Sequence, residues 1–98
     1  MGAIPFETGQ VVRSTAGHDQ GQCFVILSVL DDQYVLIANG STRKVSCPKK
    51  KKIKHLKIGP FRSEMVRERM QSRGIIYDHE IRKLLEPYSA FKEPHKEG

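Results

Sequence analysis

The feature that most constrains the fold lies between residues 9 and 30. A glycine-framed hydrophilic loop, Gly17-His18-Asp19-Gln20-Gly21, turns almost directly into the apolar run Cys23-Phe24-Val25-Ile26-Leu27-Ser28-Val29-Leu30. β-Branched and large apolar residues dominate that run and turn residues flank it, which favours a strand over a helix of the same length. Without polar alternation, the strand is expected to be buried on both faces. The glycines of the loop allow positive φ and close backbone approach, which residues with a Cβ resist.

The neighbouring segments supply four more strands. The first is expected over residues 10–15, with Val12 and Ser14 on one side and Val11 and Arg13 on the other. Asp31-Asp32-Gln33 is a tight polar connection to a third strand over residues 34–38. Asn39-Gly40 predicts a type I′ hairpin into a fourth strand over residues 42–46. Pro48, which lacks an N–H, is expected to end that pairing. Lys49-Lys50-Lys51-Lys52 then reads as a solvated run, and residues 53–58 as the fifth strand. The fold class that follows is mainly β, a small, strongly bent antiparallel barrel of five strands.

Gly59-Pro60 is expected to end the barrel, and beyond it the pattern turns helical. Ser63 can cap a helix over residues 64–73 that Gly74 stops, with Val66 and Met70 as its apolar face. Asp78 can cap a second helix over residues 79–86, closed by Pro87. Ile81, Leu84, Leu85 and Tyr88 recur at helical spacing and suit docking on the barrel or on a partner. The expected organisation is one domain: an N-terminal arm over residues 1–8, the barrel over 9–58, a short C-terminal helical extension over 59–88 and a tail over 89–98. Ile4 and Phe6 are expected to lie on the core.

Charge is distributed unevenly. The chain of 98 residues has a net charge of +6, yet residues 41–62 hold nine basic and no acidic side chains. Residues 1–40 hold one basic and four acidic side chains, and residues 63–98 seven of each. A local positive stripe suits a polyanion, because each neutralised phosphate releases counterions. Arg43, Lys44, Lys49, Lys50, Lys51, Lys52, Lys54 and Lys57 are therefore the candidate phosphate contacts. Lysine is a flexible point charge, better suited to phosphate than to reading bases. The competing reading is a charge run that merely solvates the surface.

The pattern of Gly9, Val11, Gly17, Gly21, Val25 and Val29 resembles the KOW motif. The likeness runs on through Ala38-Asn39-Gly40, Arg43-Lys44-Val45, the basic segment and His55-Leu56. A further look-alike is Asp78-His79-Glu80-Ile81-Arg82-Lys83-Leu84-Leu85. The chain thus resembles the KOW-domain RNA-binding family of Gram-positive bacteria, itself similar to single-KOW large-subunit ribosomal proteins of archaea and eukaryotes. That resemblance implies an SH3-like barrel and an RNA partner, ribosomal RNA first, with ribosomal proteins as further contacts. It also implies that the loop after strand one lies against RNA. On this chain those residues are Gly17, His18, Asp19, Gln20, Gly21 and Gln22, with Arg13 at the loop's root. Many KOW loops carry lysine between the glycines; here Asp19 and Gln20 stand there. His18 and Gln20 either hydrogen-bond bases or ribose or serve ordinary turn chemistry. Tyr34 either stacks on a base or belongs to the half-buried core. The alternative function is a protein-interaction KOW module of a transcription or ribosome-assembly complex.

Several classes are set aside. No nucleophile elbow or phosphate-cradling loop is present, so no enzyme is expected. Cys23 and Cys47 form no C-x-x-C pair, so neither metal nor cofactor is expected; two reduced thiols or a cross-strand disulfide remain open. No apolar run is long enough to span a bilayer, and the N-terminus lacks a secretory pattern. A cytoplasmic protein, monomeric when free and without a membrane partner, is the expectation.

Overall fold

The computed structural model describes residues 6–89. β2 (Cys23–Val29) is the central strand and is buried on both faces, as its composition demands. β1 (Gln10–Ser14) pairs with it antiparallel on one side and β3 (Tyr34–Ala38) on the other. β4 (Lys49–Lys52) pairs with β3, and β5 (Leu56–Arg62) with β1, giving the order β4-β3-β2-β1-β5. The five antiparallel strands curl into a half-barrel with β4 and β5 as its edges. A 3-10 turn over Ile53–His55 links those edges.

The pleat sorts side chains into two cores. Val12, Phe24, Ile26, Val35, Ile37 and Leu56 fill the inside of the half-barrel together with Phe6. Val11, Val25, Leu27 and Ala38 point outward, where Val66, Ile76, Ile81 and Leu85 cover them. A register shift between Ile26 and Ser28 reverses the alternation of β2, so Val29 lies opposite Val35 and packs with the inner core. Burial of β2 on both faces therefore has a cause: the barrel interior takes one face and the C-terminal helices take the other. Phe6 belongs to the inner core, so the expected arm is packed from that residue on. Ile4 and residues 90–98 lie outside the described residues.

The first helix, α1 (Glu64–Ser72), starts at Ser63 as expected. The Ser63 hydroxyl accepts from the Val66 N–H at 3.2 Å, satisfying one orphan donor of the first turn. Ser63→Ala is expected to lower stability by about 1 kcal/mol, read as a shift in the urea midpoint with an unchanged slope. The left-handed stop residue is Arg73 (φ 63°), one position before the expected Gly74, whose N–H returns to the Arg69 carbonyl at 2.8 Å. Met65, rather than Met70, joins Val66 against the sheet; Met70 is 37% exposed.

Four expectations are corrected. The fourth strand is not residues 42–46 but the four lysines, which were expected to be a solvated run; Pro48 precedes the pairing instead of ending it. Asn39-Gly40 does not make a type I′ turn, because only Gly40 has positive φ (79°). The Asn39 Oδ1 accepts from the N–H groups of Ser41 and Arg43 at 3.0 and 2.8 Å, which builds a wider loop. β5 spans Leu56–Arg62 rather than residues 53–58: Ile53–His55 form the 3-10 turn, and the strand runs four residues further, through Gly59-Pro60. A bulge opposite Val11 absorbs Pro60, and the Gln10 side-chain amide donates to the carbonyls of Gly59 and Phe61 at 3.1 Å each.

The second helix, α2 (Asp78–Ser89), is the fourth correction. Pro87 lies within its last turn, where only the missing N–H of Pro87 itself is lost, so the helix reaches Ser89. Asp78 does not cap it. The Glu80 carboxylate accepts from the Tyr77 N–H at 3.1 Å, while the Asp78 Oδ1 accepts from the Val45 N–H at 2.7 Å. Asp78 thus ties the helix start to the β3–β4 loop. A Cβ at Gly40 would collide with the Asp78 carbonyl, so this loop needs glycine there to let the helix approach.

Candidate nucleic-acid interface

The pleat of β4 divides the four lysines into two pairs. Lys49 and Lys51 lie opposite Ile37 and Val35 and turn to the inner side, while Lys50 and Lys52 lie opposite Leu36 and Tyr34. The inner pair meets one carboxylate. Lys49 Nζ is 2.9 Å from Asp19 Oδ2, and Lys51 Nζ is 2.9 Å from Asp19 Oδ1. The Ser14 hydroxyl donates to the same Oδ1 at 2.7 Å, and Lys51 also donates to the Ala16 carbonyl at 2.8 Å. Asp19 and Lys51 are only 8% and 7% exposed. Burial alone would raise the Asp19 carboxyl, but the hydrogen bonds from Lys51, Ser14 and Lys49 outweigh it and hold the group well below the usual carboxylate range.

Asp19 is therefore a latch between the β1–β2 loop and β4, not an exposed turn residue. Gly17 and Gly21, both with φ 88°, fold the loop back on itself, and the Gly21 N–H reaches the Ser14 carbonyl at 2.8 Å. His18 and Gln20 are left exposed at its tip. The loop's carboxylate is spent internally, so the tip presents the His18 imidazole and the Gln20 carboxamide rather than a negative charge.

A second loop comes alongside. The Gln22 Oε1 lies 3.4 Å from both Asn39 Nδ2 and Thr42 Oγ1, bringing the β3–β4 loop against the β1–β2 loop. Arg43 and Lys44 are exposed on that neighbouring loop. Lys57 stands opposite Arg13 across β5 and β1, and Lys54 is exposed on the 3-10 turn. Arg13 is half-buried. Lys50 lies 4.6 Å and Lys52 6.0 Å from the centroid of the Tyr34 ring, so the outward pair flanks a half-exposed aromatic.

The structure thus separates the sequence candidates. Arg43, Lys44, Lys50, Lys54 and Lys57 are exposed, with Lys52 half-exposed; His18, Gln20 and Gln22 are exposed on the β1–β2 loop, and Gln22 meets the loop that carries Arg43 and Lys44. Lys49 and Lys51 are committed to Asp19. Sequence reasoning missed Asp19 and Asp78 as organisers. The signal for Asp19 was a lone acid in a loop before a chain of lysines; nothing local pointed to Asp78 and Val45.

Both cysteines are free thiols, Cys47 exposed and Cys23 half-buried. Among the described residues, no group of three or more His, Cys, Asp or Glu could hold a metal ion, and no helix is long and apolar enough to cross a membrane. No protein-family model matches the chain, and a search of the curated proteins returns no match.

Proposed function

We propose that this chain is a non-catalytic RNA-binding module, associated with the ribosome or translation, that grips structured RNA through its basic stripe and the β1–β2 loop. One observation carries the reading. After Asp19 has taken Lys49 and Lys51, the cations Arg43, Lys44, Lys50, Lys54 and Lys57 still face solvent in a segment with no acidic side chain. The likeness to KOW sequences supports it, since those ribosomal barrels place the matching loop on RNA. Phosphate contacts from the lysines would set affinity, and the loop would supply shape.

The test is a gel shift with a structured ribosomal RNA fragment across a salt series. With about four phosphates neutralised, log K against log salt is expected to slope at roughly −3. No binding even at low salt, together with no co-sedimentation with ribosomes, would remove the reading. A protein-interaction module is the second reading. It is favoured by Ile75 and Tyr77, which are 65% and 53% exposed between the two helices.

A further inference from the structure

We infer that the cleft between the β1–β2 loop, the β3–β4 loop and α2 receives one unpaired base of the bound RNA. The inference rests on the RNA-binding reading and names the part of the RNA that this end of the molecule holds. The cleft measures about 370 Å³, and its lining includes Gln22, Asn39, Leu85 and Tyr88, with one cation, Arg82, and one carboxylate, Glu86. That volume lies in the range of small-ligand sites, roughly 300–1,000 Å³.

Its chemistry suits a base. Leu85, 3% exposed, gives an apolar floor. Tyr88 supplies an aromatic wall that is already positioned, because it stacks on Phe61 with centroids 5.8 Å apart and planes 20° from parallel. Gln22 carries an exposed carboxamide with a donor and an acceptor, the combination that a base edge requires. Its contacts with Asn39 and Thr42 are long at 3.4 Å, so a shorter bond to a ligand exchanges for them at little loss. Asn39 shapes the rim instead, because its Oδ1 accepts from Ser41 and Arg43 and its Nδ2 donates to Thr42. Arg82 is fixed at the cleft by donating to the Gly40 carbonyl at 2.6 Å.

The surroundings favour a nucleotide within a strand over a free small molecule. Asn39 and Ser41 line the cleft, and the next residues of the same loop are Thr42, Arg43 and Lys44, so cations stand where flanking phosphates would run. A paired base cannot enter, because it stays stacked in the helix with its Watson–Crick edge taken by its partner; bulges and loops can splay one out.

The experiment compares two RNA hairpins of equal length: one fully paired, and one with a single bulged nucleotide, made in four versions for the four bases. The full chain is expected to bind at least one bulged version about tenfold more tightly than the paired hairpin. Gln22→Leu removes an exposed amide, and Tyr88→Leu removes the aromatic wall, with a thermal melt to confirm folding. The readout is the ratio of the two affinities within each protein, so a general loss of binding cancels. A ratio falling below about twofold in either folded variant supports the inference. Equal binding of both hairpins by the unaltered chain, or a ratio that survives both substitutions, overturns it while leaving RNA binding intact. Failure to bind either hairpin at low salt overturns the RNA reading as well.

Discussion

Asp19→Asn is expected to destabilise the fold by about 3 kcal/mol, the lower end of what breaking a buried ion pair does. The Lys51 side chain is 8% exposed and that of Asp19 11%, so removing the carboxylate strands an ammonium in the barrel wall. Lys49, at 27% side-chain exposure, can turn to water, which keeps the loss below the upper end. For a domain of this size the loss corresponds to a fall in Tm of roughly 12–24 °C. Asparagine retains an acceptor for the Ser14 hydroxyl, so the loss isolates the charge. Combining Asp19→Asn with Lys51→Met removes the stranded ammonium and is expected to restore most of the stability. A loss under about 1 kcal/mol, or no recovery in the double variant, would mean that the latch does not hold the loop.

The latch also sets an acid dependence. The folded Asp19 carboxyl is held below its unfolded value, near the ordinary carboxylate pKa of about 4. A depressed folded pKa gives stability that is present in full above the unfolded value and is lost as pH falls towards the folded one. The protein is therefore expected to lose stability progressively below about pH 4, and Asp19→Asn to lose less over the same window. Asp31 and Glu80 also have lowered carboxyl groups, the first through the N–H groups of Gln33 and Tyr34 and the second through Tyr77 and Arg69. Both are common to the two proteins, so the difference between the curves reports on Asp19.

The parts of the fold that depend on local chemistry were legible in the sequence. The apolar run of β2, its burial on both faces, and the Ser63 cap all follow from neighbouring residues. The parts that depend on a distant partner were not. Four identical lysines carry no alternation, so neither the strand nor the inward turn of Lys49 and Lys51 could be read from them. The partner that makes Lys51 an interior residue lies 32 positions earlier. Pro60 resembles a strand end until the Gln10 amide is seen serving the carbonyls of the bulge around it. The exposed cations were visible from charge alone, because no local rule hides a residue without a partner. The cleft was not, since it is assembled from two loops and a helix.

That division decides how the interface must be tested. Replacing Lys49, Lys50, Lys51 and Lys52 together would remove outward charge and also leave the Asp19 carboxylate buried without its cations, so lost binding and lost folding would coincide. Arg43, Lys44, Lys54 and Lys57 are all exposed, and changing them to glutamine is expected to shift stability by no more than about 0.5 kcal/mol each. The effect on RNA affinity is expected to be large. A salt slope of roughly −3 means that phosphate contacts contribute about a thousandfold at 0.1 M salt relative to 1 M, where they are screened. Removing these four cations should forfeit most of that factor and flatten the slope towards zero. The Asp19→Asn, Lys51→Met double variant makes the reciprocal control: it alters the latch and leaves all four cations, so the slope should remain near −3 wherever the protein is folded. If the glutamine variant folds, binds as tightly as the unaltered chain and keeps the slope, the basic stripe is not the interface. The exposed surface around Ile75 and Tyr77 then becomes the place to look for a protein partner.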